Sequence, residues 1–175
     1  TASGSGRFGK DSFAGGGAYS INISGGSIIF LAGGDGIDSN GSINISGGTI
    51  VAIIKSTADN GAIDADGAVT FTGGSIIYGG TGIGSTPGGN STQSYVFVSS
   101  GITAGKEITV QKDGQTLISY TPATAVKSLA LSSPNIKSGE SYEIYSGDSL
   151  LSTATAGTGG SGMMGGGPGG MGTPG

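Results

Sequence analysis

The sequence predicts an all-β protein: a parallel β-helix, or short solenoid, followed by antiparallel β hairpins and a Gly-rich tail. A motif that begins at Gly33 and contains Ile37-Asp38 recurs 26 positions later, where it contains Ile63-Asp64. A third copy of its apolar half lies 22 positions upstream and spans residues 20–30. Repeats of this length, built from short β-branched runs separated by Gly pairs, are typical of solenoids. The chain contains 40 Gly without a collagen-like period.

Composition excludes several classes of function. With 11 acidic and 7 basic residues the net charge is −4, so no basic stripe is available for nucleic acid. The absence of Cys and His excludes disulfides, thiolate metal sites and His-based catalysis. No run approaches the ~20 apolar residues of a membrane span, so membrane insertion is not expected. Low charge with abundant Gly and Ser favours an extracellular or cell-surface protein.

The first 80 residues contain the repeats. Residues 1–17 are predicted to be an irregular N-terminal arm or a degenerate coil, and residues 18–80 the coils of the β-helix. Within each coil, apolar residues such as Ile43 and Ile45 alternate with polar ones such as Asn44, so the first set faces a core. The Gly pairs at 25–26, 47–48 and 73–74 are then corners between two strands.

The remainder changes character. Residues 81–93 read as a linker or loop because they lack apolar periodicity. Residues 94–156 are predicted to be an antiparallel β region that packs on or caps the solenoid. Its two hairpin turns are Asp113-Gly114 and Ser146–Ser149. Residues 157–175 form the tail, rich in Gly, Met and Pro.

The carboxylates of the repeats are candidate calcium ligands. Asp38 is repeat-equivalent to Asp64, and Asn40 to Asp66, so stacking brings these side chains together. Oxygen-only ligation selects Ca²⁺. The predicted metal ligands are Asp35, Asp38, Asn40, Asp64 and Asp66. Alternatively, these residues are turn formers whose side chains cap the local backbone.

Three aromatic residues are candidate carbohydrate contacts. Phe30 and Tyr78 share a repeat column, and if this column faces outward the two rings form a platform for sugar rings. Tyr19 is a third candidate. The alternative is that these rings pack inside the protein. No catalytic residue is predicted, because Lys55 is the only base near the carboxylates and the sole Arg is Arg7. The chain is therefore not expected to be an enzyme.

The motifs Gly-Asp-Gly-Ile-Asp-Ser-Asn-Gly at 34–41 and Asn-Gly-Ala-Ile-Asp-Ala-Asp-Gly at 60–67 resemble those of bacterial secreted carbohydrate-binding β-helix proteins. The segments 43–49, 72–75, 120–123, 131–134 and 139–142 and the tail also resemble that family. The resemblance implies a right-handed parallel β-helix, bound calcium at Asp35, Asp38, Asp64 and Asp66, and non-catalytic affinity for acidic polysaccharide such as polygalacturonate.

Two functions remain open at this point. The first is a calcium-binding module whose partner is a polysaccharide. The second is a structural subunit of an extracellular fibre or biofilm matrix, in which copies stack head to tail as a homopolymer. The arm and the tail would then bind to neighbouring copies and connect them. The two are compatible, since a filament can also hold polysaccharide.

Overall fold

A computed structural model describes residues 19–55 and 60–157, and within these ranges it contains strands and turns but no helix. The prediction of an all-β protein is confirmed. The predicted arm over 1–17 and the predicted tail beyond Gly157 lie outside the described residues. The strands are β1 (Ser20–Ala32), β2 (Ile37–Ser39), β3 (Ser42–Ile54), β4 (Ile63–Ala65), β5 (Val69–Gly80), β6 (Tyr95–Val98), β7 (Ile108–Lys112), β8 (Gln115–Tyr120), β9 (Ser128–Ser132), β10 (Ser141–Ser146) and β11 (Ser149–Thr155).

The main sheet places the three repeats side by side. Its strand order is β1-β3-β5-β9-β6. The first three strands pair in parallel, so that Ile21 lies beside Ile43 and Ile43 beside Val69. Strand β9 then pairs antiparallel with β5, and β6 antiparallel with β9. The expected alignment of equivalent residues in successive repeats is confirmed.

The described strands of residues 18–80 form open sheets. The main sheet is open and mixed, because the outer edge of β5 carries the antiparallel strand β9 instead of another parallel repeat. A separate two-stranded parallel sheet joins β2 to β4, and each of these strands is only three residues long. The described part is thus a stack of three β repeats with open sheets.

Each long parallel strand bends at its Gly pair, as predicted. The second glycine of each pair has a positive φ, 83° at Gly26, 94° at Gly48 and 95° at Gly74. A Cβ built on Gly48 would lie 2.9 Å from backbone atoms of Gly25 and Gly26 in the preceding repeat. Both the dihedral angle and the close approach of the repeats therefore require glycine here.

The apolar residues that face inward from the repeats form one buried cluster, called here the inner cluster. Ile43, Ile45 and Phe71 are fully buried in it. The equivalent Ile21 and Ile23 of β1 are only half-buried, because β1 has a described neighbouring strand on one side alone. The buried members are Ile37, Ile43, Ile45, Ile50, Ala52, Ile54, Ala62, Ile63, Val69, Phe71, Ile76, Tyr78 and Ala130.

A second sheet, of order β11-β10-β7-β8, is antiparallel throughout. Its β7–β8 hairpin turns at Asp113 and Gly114, whose φ values are 52° and 76°. The β10–β11 hairpin turns at Gly147 and Asp148. Both predicted hairpins are confirmed. Between the two sheets lies the outer cluster, whose buried members are Val51, Ile53, Ile77, Val96, Val98, Ile102, Ile108, Val110, Ile118, Leu129, Leu131, Ile136, Tyr142, Ile144 and Ala156.

The loop at 81–93 covers the third repeat. The amide of Ser85 donates to the carbonyl of Ile63 at 2.7 Å, and the amide of Gly88 donates to the carbonyl of Val69 at 2.7 Å. With β9 along the rest of β5, this loop caps the stack at the end opposite β1. No described segment is a helix long and apolar enough to cross a membrane.

Candidate functional site

Strands β2 and β4 hold the central pair of predicted metal ligands. Their parallel register pairs Ile37 with Ile63 and Asp38 with Asp64. Because Ile37 and Ile63 are buried in the inner cluster, the alternation of a strand turns the two carboxylates outward. Asp38 is exposed and Asp64 is half-buried. The predicted juxtaposition of these two residues is therefore present.

Four carboxylates influence one another at this edge. Partial burial raises the pKa of Asp38, and the negative charges of Asp35, Asp64 and Asp66 raise it further. Within residues 19–55 and 60–157, no ion pair joins any of the four to a Lys. We call this group of four residues the acidic edge. Its charge repulsion is the property that a bound cation relieves.

Asp35 also has a structural contact. Its Oδ1 accepts a hydrogen bond of 3.0 Å from the backbone N–H of Gly61, one repeat further along the chain. This contact ties the loop before β2 to the loop before β4. It matches the turn-forming alternative in part, except that the amide it caps belongs to the next repeat instead of the same loop.

The remaining two ligand candidates lie in the turns that follow β2 and β4. Asn40 and Asp66 are both exposed. The amide of Asp66 donates to the carbonyl of Ser39 at 3.0 Å, and the amide of Gly67 donates to that of Gly41 at 2.8 Å. The two turns are therefore stacked, which places Asn40 and Asp66 at equivalent positions of adjacent repeats.

The acidic edge fits calcium in its chemistry. All of its side-chain donors are oxygens, which is the ligand type of Ca²⁺. Among the described residues, no three carboxylates already stand at metal-binding spacing. The calcium site remains a prediction with suitable donors.

The predicted aromatic platform on Phe30 and Tyr78 is wrong. Tyr78 is 0% exposed and packs edge-on against Phe71, with 5.9 Å between ring centroids and 89° between ring planes. Phe30 is half-buried against the same inner cluster. The column faces inward because it shares the alternation of Ile50 and Ile76, so the packing alternative is correct for these two residues. Tyr19, in contrast, is exposed.

The outer row of polar side chains on the repeats bonds to itself. Asn44 Nδ2 donates to Asn22 Oδ1 at 3.0 Å, and Asn22 Nδ2 donates to Ser20 Oγ at 2.9 Å. Within this row, Asn22 is exposed and Asn44 is half-buried. The row is a rigid polar surface at the strand spacing.

Two features were not indicated by the sequence. Gln93 is buried, and its Nε2 donates to the carbonyl of Gly74 at 2.9 Å and to Ser132 Oγ at 2.8 Å, which fixes the third corner. A surface depression of about 390 Å³ is lined by Lys55 and Lys127, where β3 and β5 end. Neither lysine forms an ion pair with another described residue. The residues that form each of these two features are far apart in the chain, so no local sequence pattern predicts the Gln93 contacts or the depression.

No family model, curated protein or solved structure matches the chain.

Proposed function

We propose that this protein is a non-catalytic, extracellular calcium-binding module that binds acidic polysaccharide such as polygalacturonate. The observation that carries the proposal is the acidic edge, where the charges of Asp35, Asp64 and Asp66 help to raise the pKa of Asp38 and no described Lys forms an ion pair with any of the four. Such an arrangement destabilises the free protein and favours a bound cation.

Calcium supplies the link between protein and polymer. It takes six to eight oxygen ligands, and if each of the four carboxylates gives one oxygen, several positions remain for water or for a ligand. A uronate residue carries a carboxylate and hydroxyl groups, which are oxygen donors of the required type. Asp38 and Asp64 with the Asn40 amide would hold the ion, and the uronate would complete its shell.

The depression beside Lys55 and Lys127 supports an acidic polymer over a neutral one. Two ammonium groups with no described carboxylate partner are suited to a second uronate of the same chain. The exposed Tyr19 offers a ring for stacking on a sugar.

The absence of catalysis is part of the proposal. Carboxylate pairs that cleave glycosides need one carboxyl group kept protonated by an apolar pocket. Asp38, whose pKa is raised, is instead exposed on the surface of β2.

We also propose that the three repeats are coils of a right-handed β-helix. Support comes from two parallel strand pairs, β2–β4 and β3–β5. Both join residues that are 26 positions apart in the sequence, Ile37 with Ile63 and Ile43 with Val69.

The test combines calcium titration with polymer binding. Isothermal titration calorimetry of the chain should show calcium binding that weakens by at least about tenfold in the Asp38→Asn, Asp64→Asn double variant. The control is Asp148→Asn, which removes one exposed carboxylate from the β10–β11 turn. Polygalacturonate should co-sediment with the protein in calcium and not in chelator. Equal calcium affinity in the double variant contradicts the site, and polymer binding unaffected by chelator contradicts the bridge.

The second candidate is the structural subunit, in which copies associate through the edge of β1 that no described strand covers. A strand edge without a partner is a template for pairing between copies. Electron microscopy with and without calcium tests the fibre: regular filaments support it, and monodisperse particles under both conditions contradict it.

A further inference from the structure

Strand β1 lies at one end of the main sheet, where its outer edge pairs with no described strand. It is 13 residues long and pairs with β3 on one side, while no described strand lies on the other. Its second half, residues 28–32, reads Ile-Ile-Phe-Leu-Ala and is apolar at every position. We refer to residues 28–32 as the free edge.

Both faces of the free edge lack the cover that the next repeat has. On the outer side, Ile29 is 69% exposed and Leu31 is 44% exposed, whereas their partners in β3, Val51 and Ile53, are 8% and 3% exposed. On the inner side, Phe30 is half-buried, whereas its partner Ala52 is fully buried. A strand added beside β1 would bury apolar surface on both faces at once.

Within residues 28–32, the free edge has no charge, Pro or bulge that would protect it against pairing. Sheet edges are commonly shielded by a charge, a Pro, a bulge or a covering loop. From Ser20 to Ala32 there is no charged residue and no Pro, and the register shifts of β1 lie before Ser27. The segment therefore has the composition of an interface strand.

The opposite end of the stack shows which kind of strand pairs with an edge of the repeats. There β5 pairs antiparallel with β9, and Leu129, Ala130 and Leu131 of β9 are fully buried between the inner and outer clusters. The occupant is a short antiparallel strand that is apolar on both faces. The free edge itself has that character.

We propose that the free edge is a dimerisation site, at which residues 28–32 pair antiparallel with the same segment of a second copy about a two-fold axis through Phe30. This register places Ile29 opposite the partner's Leu31 and Ile28 opposite the partner's Ala32. Main-chain hydrogen bonds would complete the edge, and the two main sheets would become one continuous sheet.

Charge favours the antiparallel arrangement over a parallel one. Asp35 follows the free edge by three residues and belongs to the acidic edge. Antiparallel pairing sends the two Asp35 residues to opposite ends of the shared strand pair. Parallel pairing would set Asp35 beside the partner's Asp35 and add to the repulsion.

The capped end decides between a closed dimer and a chain of copies. Head-to-tail stacking needs a free edge at both ends of the repeats. The edge of β5 is already paired with β9 and with the loop around Gly88 and Thr92. Among the described repeats, β1 and β2 lie at the open end of the stack, and two copies that join at this end do so through a symmetric, isologous contact.

Light scattering coupled to size-exclusion chromatography, run over a wide concentration range, measures the association of the 175-residue chain. The expected mass is twice 16.7 kDa, falling toward 16.7 kDa on dilution. Ile29→Lys should weaken dimerisation by about a hundredfold or more, because each copy loses an Ile from the interface and sets a charge opposite the partner's Leu31. Leu150→Lys, which changes an exposed Leu of β11, should leave the dimer unchanged.

A second measurement tests the register. The chain has no Cys, so Ile29→Cys and Leu31→Cys each introduce a single thiol. Oxidation of a mixture of the two variants should give mainly the mixed disulfide dimer, because directly opposite residues lie at disulfide distance. Equal yields from each variant alone would overturn antiparallel pairing about Phe30.

Other outcomes also decide the proposal. A wild-type chain that stays monomeric at all concentrations overturns it, as does a polymer of increasing mass. If Ile29→Lys is misfolded by circular dichroism, Ile29→Thr keeps the strand preference and should still weaken dimerisation. The dimer does not depend on the proposed calcium function, so it should persist in chelator, where the calcium site is empty.

Discussion

The corner glycines offer a direct measurement of how closely the repeats stack. Gly26 and Gly48 occupy the same corner position in successive repeats, with φ of 83° and 94°. A Cβ on Gly26 would meet nothing within 4 Å, whereas a Cβ on Gly48 would lie 2.9 Å from backbone atoms of Gly25 and Gly26. The two positions therefore share a conformational requirement and differ in their contact with the preceding repeat.

The expected losses follow from this difference. Gly26→Ala forces a side chain into a positive-φ conformation, which costs about 1–2 kcal/mol. Gly48→Ala carries the same cost, and in addition backbone atoms must move apart, which adds about 1–3 kcal/mol. Gly48→Ala should therefore reduce the free energy of unfolding by about 2–5 kcal/mol.

Urea denaturation followed by circular dichroism gives both values. It should be run at low protein concentration, so that association does not add to the measured stability. Gly74→Ala repeats the experiment one corner further along, where the added Cβ would lie 2.9 Å from the carbonyl oxygen of Gly48. Equal losses for Gly26→Ala and Gly48→Ala would refute the close stacking of the corners.

Three further predictions concern single side chains. In chelator, Asp38→Asn should raise the free energy of unfolding at neutral pH by up to about 1 kcal/mol, because the ionised carboxylate is repelled by its neighbours. The fold raises the pKa of Asp38 above 3.8. The free energy of unfolding of the wild type should therefore fall as pH rises through the folded pKa of Asp38, whereas that of the variant should not. Glu140→Gln should lower stability at neutral pH, because Glu140 accepts hydrogen bonds from Lys112 and Tyr142, contacts that lower its pKa from 4.5. This contribution should be present above pH 4.5 and lost as pH falls through the lowered pKa. Tyr78→Phe should be neutral or stabilising by about 1 kcal/mol, because its buried hydroxyl has no hydrogen-bond partner among the described residues.

Each of these has a control and an opposing result. Asp148→Asn should leave the chelator stability unchanged, and an equal gain there would make the Asp38 effect one of net charge alone. A pH profile of Glu140→Gln that parallels the wild type would show that the contact with Lys112 contributes nothing. A loss above about 1 kcal/mol in Tyr78→Phe would mean that the hydroxyl has a partner, such as a buried water.

The repeat pattern was sufficient to predict much of the first half. Strand alternation placed Ile43 and Ile45 in the core, and the 26-residue offset aligned Asp38 with Asp64. These features are local or periodic, so they are visible without tertiary contacts. The orientation of Tyr78 was left open because the run Ile76-Ile77-Tyr78 is apolar at every position. Such a run does not indicate which of its side chains face the core.

By itself, the sequence determined the all-β class, the three aligned repeats, the Gly corners, the two hairpins and the gathering of the carboxylates. Tertiary structure alone decided that β9 closes the far edge of the repeats, that a second sheet covers their outer face, and that no described strand pairs with the outer edge of β1. The physical reason is that periodicity and turn chemistry act between near neighbours, whereas edge pairing and sheet packing join segments such as β5 and β9 that are distant in the chain. Their pairing depends on which apolar surfaces remain uncovered once the local elements have formed.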